Sequence, residues 1–138
     1  MGQVAELGSQ AVQRAVKKVA KILGVLLLLV VLCVVGLIAM VEFVTHRSQR
    51  EVVDTVGQLS PGTPFSVAMQ QLGQPTQTFT NGQEIVSWVE RVGARVEPRV
   101  ATNSVLHTFV HHGPPFRYIL VYTDRELQRV VYADWCHM

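Results

Sequence analysis

The chain has 138 residues, with 12 Lys and Arg against 10 Asp and Glu, a near-neutral total that conceals an uneven distribution. Arg14, Lys17, Lys18 and Lys21 face only Glu6 in residues 1–21, whereas from Ser48 onward seven arginines meet eight acids. A nucleic-acid binder needs a basic face on its folded part to displace counterions from phosphate, so the near-neutral C-terminal part excludes nucleic acid as a partner.

Residues 1–21 place Val4, Ala11, Val12, Ala15, Val16, Val19 and Ala20 near one helical stripe, with lysines at its C-terminal end. The pattern predicts a basic amphipathic helix on the cytoplasmic side, its cations near phospholipid headgroups. Ile22 to Val41 follow without a single charge. Twenty residues at 1.5 Å each span about 30 Å, the hydrocarbon thickness of a bilayer. The run is longer than a secretory apolar core and has no small-x-small cleavage pair after it, so it reads as a retained transmembrane helix over 22–44. Four basic residues before the run against Arg47 and Arg50 after it place the N-terminus inside. The expectation is a single-pass protein of the bacterial inner membrane, with residues 45–138 in the periplasm. Cys33 in mid-bilayer and Cys136 near the C-terminus do not suit a bridge within one chain; an oxidising compartment leaves Cys136 available for an intermolecular bond, but it is read as an unpaired near-terminal thiol.

Val52, Val53 and Val56 predict a short helix closed by Gly57, with Leu59 as an apolar plug. In "SPGTPFSVAMQQLGQP", Gly62 permits a turn, Thr63 is the expected cap and Pro64 the first helical residue. Phe65, Ala68, Met69 and Leu72 form one apolar stripe; Gly73 ends the helix and Pro75 forbids its continuation. The glycines are helix punctuation, since no phosphate-loop pattern surrounds them.

Beyond Pro75 a period of two predicts strands. "QTFT" and "EIVSWVERV" flank Asn81–Gly82, the dipeptide of a tight hairpin, which puts Trp88 on a strand. Residues 93–104 read as a long loop; "VLHTFVHH", "FRYILVYT" and "LQRVVYADW" read as three further strands. Tyr118, Leu120 and Tyr122 are expected on one sheet face, Ile119 and Val121 on the other. The fold class is therefore α+β: one transmembrane helix, then two short helices packed on an antiparallel sheet of four to five strands, with Leu72 and Trp88 in its core.

Candidate chemistry is sparse. His107 and His111 share a strand face about 13 Å apart, too far for one metal ion, and His111 and His112 point to opposite faces; these histidines are read as lying in water at edges and loops. Ser87, Ser104 and Cys136 sit on no nucleophile elbow, Asp124 and Glu126 suit a turn, and Glu42 marks the membrane boundary. No catalytic residue, metal or cofactor is expected. Arg95, Arg99 and Arg117 are the candidates for contact with an anionic glycan or lipid.

The Gly62-x10-Gly73-x-Pro75 spacing around a capped helix, Trp88 in "SWVE" and the closing "YILVYTDRELQRVVY" resemble the BamE-like (SmpA/OmlA) domain over about residues 50–132. Its best-known members are outer-membrane lipoproteins of the barrel-assembly machine, whereas this chain has an inner-membrane type of anchor. The resemblance implies a small non-catalytic envelope domain that docks on other proteins. Two functions follow from the sequence: an interaction module for another envelope or inner-membrane protein, or an accessory domain binding cell-wall or lipid anions through Arg95, Arg99 and Arg117.

Overall fold

The computed structural model describes residues 2–126 and 128–138. The chain divides into two compact units, Met1–Glu42 and Phe43–Met138. Helix α1 runs from Gly2 to Gln58 without a break, and no proline precedes Pro61 to stop it. The expected separate helix over 52–56 is therefore the end of α1, and Gly57 is helical, not a cap. In the first unit α1 is exposed all round, and its apolar stretch has a mean hydropathy of 3.3 with none of it buried. Two sequence expectations fall on Val4 and Leu127, whose side chains lie outside the described residues.

The second unit is built on a four-stranded antiparallel meander, β1 (Gln77–Phe79), β2 (Ser104–His111), β3 (Arg117–Asp124) and β4 (Val130–His137), paired in that order. Both faces are covered. On one, Val52 of α1 and Phe65 and Ala68 of α2 (Phe65–Leu72) pack with Leu59 onto Phe109, Ile119, Val121 and Val130. On the other, Ile85 and Val89 of α3 (Gly82–Arg91) and Ala101 of α4 (Pro98–Asn103) cover Leu106, Leu120, Tyr122 and Cys136. The alternation expected for β3 holds, but each set of side chains meets a helical layer. Burial on both faces explains why this strand is apolar almost throughout.

The largest correction concerns residues 82–91, which form α3 and not a strand. Asn81 and Gly82 are not a hairpin turn. The Asn81 side chain accepts a bond from the Gln83 amide at 3.0 Å, an N-cap, and the backbone of Gly82 lies against α4, where a Cβ would come 3.0 Å from the Thr102 Cα. Ile85, Trp88, Val89 and Val92 fit a helical stripe, whereas the period of two rests on Ile85, Ser87 and Val89, and the cap resolves the ambiguity. Trp88 thus stands on a helix, packed against Phe79 and Tyr118. The expected loop over 93–104 contains α4, which starts with Pro98 at its first position.

Helix α2 forms where its stripe and flanking glycines place it, with different capping. Pro64 is the N-cap residue, and no side chain caps the helix: Thr63 leaves that role to the Gln128 carbonyl, which takes the Phe65 amide at 2.8 Å. Gly62 (φ +92°) donates to Val130 O, and Val130 donates back to Thr63 O, tying the turn to the start of β4. Gly73, with φ 81° and ψ −152°, donates to Met69 O in a region essentially closed to residues with a side chain. A Cβ there would meet nothing, so the strain in Gly73→Ala is purely conformational. Gly73→Ala is expected to lower the stability of this unit by about 1–3 kcal/mol. Gly57→Ala, inside α1, should raise stability by up to about 1 kcal/mol. Urea unfolding followed by tryptophan fluorescence reads both, and equal signs would refute the cap assignment.

Candidate interaction surface

The three arginines expected to act together are not brought together. Arg117 lies on the face of β3 that packs under α1, whereas Arg95 and Arg99 flank the α3–α4 connection on the side of the opposite layer. Arg99 is exposed on α4. Arg95 borders an open cleft of about 600 Å³ between that connection and β4, lined by Arg95, Val96, Glu97, Pro98, Val100, Val131 and Tyr132. Its apolar part comes from Val96, Val100, Val131 and Tyr132, and Arg95 and Glu97 give it charge of both signs. Val131 and Tyr132, on the edge strand of the sheet, are 39% and 42% exposed. Tyr132 donates to Asp134 Oδ2 at 3.2 Å, and burial together with the Asp134 charge raises its pKa. Tyr122 packs against it with centroids 5.7 Å apart and has a buried hydroxyl without a partner among the described residues.

Neither Val131 nor Tyr132 stood out in the sequence. The signal available was "VVY" at the start of the last strand, where two adjacent apolar residues cannot share one sheet face. The register shift beside Tyr122 and Thr123 turns the extra residue outward.

A second, more polar cleft of about 750 Å³ lies at the start of α3, lined among others by Asn81, Gln83, Ser87, Glu90, Thr102 and Arg125. Arg125 donates through Nη2 to the carbonyls of Thr80 and Thr102, joining the end of β1 to α4. Its guanidinium is thereby engaged in holding two backbone segments.

Arg117 is 1% exposed. Its Nη1 donates to Ser48 Oγ at 2.9 Å, its guanidinium carbon lies 5.5 Å from the centre of the Trp135 ring, and its buried Nε has no partner among the described residues. Among the described residues the one ion pair is Arg47–Glu51, on the surface of α1. A buried cation held by one hydroxyl and an aromatic face is an anchor between the end of α1 and the sheet, and its burial leaves no room for the anion clamp expected of it.

The histidines correct the expectation of edge groups in water at one position. His107 is part-buried, stacked on Phe65 at 4.0 Å, and its ring nitrogens lie 3.2 and 3.0 Å from the hydroxyls of Thr78 and Thr123. Burial lowers its pKa to about 4, so the ring is neutral at physiological pH. Among the described residues no three His, Cys, Asp or Glu side chains are grouped to hold a metal ion. Cys136 is buried, not open to an intermolecular bond, and burial followed by the Asp134 charge pushes its thiol pKa up. Ser104 is buried and Ser87 exposed, while Asp124 Oδ1 accepts from the Glu126 amide in the expected turn.

No family model, curated protein or solved structure matches the chain.

Proposed function

We propose that this chain is a single-pass protein of the bacterial inner membrane, with its N-terminus in the cytoplasm and a non-catalytic periplasmic unit that docks on another envelope protein. The observation that carries the reading is the apolar stretch of α1, long enough to cross a bilayer and with none of its most apolar window buried. A core helix of a soluble protein would bury that surface, because leaving it in water costs about 25 cal/mol per Å². Four basic residues before the run and two after it favour the inward N-terminus.

The BamE-like resemblance supports the docking role through Gly62, Gly73, Pro75 and the closing β3–β4 hairpin. Trp88 no longer counts toward it, because it stands on α3. The cleft beside β4 supplies a surface of the right composition, with an apolar centre, an aromatic residue and charge at the margin. The burial of Arg117 argues against an anion site shared by Arg95, Arg99 and Arg117.

The test is alkaline phosphatase fused after Met138, with a photo-crosslinking residue at Val131 in the same strain. The reading expects an active phosphatase and a discrete crosslinked protein at Val131 but not at exposed Ser66 on α2. An inactive phosphatase would overturn the orientation; equal labelling at both positions would overturn the docking surface.

A further inference from the structure

The exposed stripe of the first unit continues from the basic segment into the apolar run in one register. Val12, Val16, Val19, Leu23, Leu26, Val30, Cys33, Leu37 and Met40 follow one another at alternating steps of four and three, a seven-residue repeat. All of them are exposed on α1. Within the uncharged run any register is apolar, so the informative part is residues 12–23, where polar residues compete for positions. There Arg14, Lys17, Lys18 and Lys21 all fall on the three outer positions of the repeat. The positions flanking the stripe are Gln13, Ala15, Ala20 and Ile22, with no charge among them.

That distribution suits a helix pair. Flanking positions of a two-stranded seam come close to the partner helix, and like charges there repel. Here two alanines occupy those positions and the cations point away. Inside the apolar run Gly36 flanks the seam three residues from Cys33, which permits close backbone approach in a bilayer. The repeat stops two residues past the end of the first unit: beyond Val44 its next positions would be Arg47 and Glu51. Binding of the stripe to a membrane surface would need a sharp bend before Ile22, and α1 passes that point unbroken and without proline.

We infer that the stripe from Val12 to Met40 is a dimerisation seam whose occupant is the same helix of a second copy. Its parallel alignment rests on the membrane-spanning reading, which gives both copies one orientation.

The test uses the full chain in native membranes, with Cys136→Ser leaving Cys33 as the only thiol. Copper–phenanthroline takes two electrons and two protons from a facing thiol pair, and a band at twice 15.3 kDa is expected on a non-reducing gel. In a Cys33→Ser background, single cysteines at Val30 and Leu37 should crosslink to a similar extent, and those at Val31 and Val35 several-fold less. Val16→Asp should reduce the Cys33 crosslink several-fold, while Lys17→Gln should leave it unchanged. Equal yields at all five positions, or no band at 33, would overturn the seam. No band together with protease protection of residues 1–21 in phosphatidylglycerol but not phosphatidylcholine vesicles would assign the stripe to a lipid surface. The phosphatase fusion remains active in either case if the membrane reading is right, so the two failures are distinguishable.

Discussion

Leu106→Ala is expected to destabilise the second unit by about 2–5 kcal/mol, most or all of what a small domain has to lose. Leu106 is fully buried in β2, between Phe79 on β1 and Tyr122 on β3, under α3 and α4. Truncating it removes apolar contact from two strands and a helical layer at once, and the flanking strands cannot close in without breaking register. Leu72 and Trp88, expected core residues by sequence, are only partly buried and pack at the margins of the two clusters. Their truncation should therefore cost less than that of Leu106. Trp88 and Trp135 both belong to this unit, so urea unfolding of the full chain in detergent, followed by tryptophan emission, reports on it directly. An unchanged midpoint for Leu106→Ala would mean that the layer of α3 and α4 does not seal this face of the sheet in solution.

Arg117→Met should act in the opposite direction, raising stability by about 1–4 kcal/mol. The guanidinium has been taken out of water with no carboxylate among the described residues to offset the loss, and it donates to a neutral hydroxyl. Methionine keeps much of the stem's volume, can still pack on the Trp135 ring and carries no charge to desolvate. Ser48→Ala isolates the other side of the contact. It leaves the guanidinium buried without its acceptor and should lower stability by about 1–3 kcal/mol. The same unfolding measurement decides both. A loss of stability in Arg117→Met would show that the contacts to Ser48 and Trp135 outweigh the cost of burying the charge. Arg117 would then be a net stabilising link between the end of α1 and the sheet.

The elements legible in the sequence are those whose signals are local. Helix α2 is bounded by Gly62 and by Gly73 and Pro75, residues that act on their own backbone, and it forms between them. Strands β2, β3 and β4 were legible because each is an apolar run of strand length bounded by Gly, Pro or turn residues. Residues 82–91 were not legible as a helix, because "EIVSWVERV" satisfies both periods and Asn-Gly opens hairpins more often than helices. The Asn81 side chain caps the helix, and the backbone of Gly82 lies against Thr102, a contact between segments twenty residues apart. The candidate surface was hidden for the same kind of reason. Val131 and Tyr132 become an exposed pair only because a register shift beside Tyr122 and Thr123 turns one of them outward.

The sequence by itself determined the apolar run and its charge asymmetry, because length and charge are properties of one segment and need no partner to define them. It also determined where α2 ends and, to within one residue, where it begins. Only the tertiary structure decided that the sheet is covered on both faces, that α3 is a helix, that Arg117 is an anchor while Arg95 borders a cleft, and that His107 is held neutral between two threonines and Phe65. Each of these depends on which segments distant in the chain come to share a face. Burial, which sets the cost of a charge and the pKa of a ring, is not a property of a residue until that packing exists.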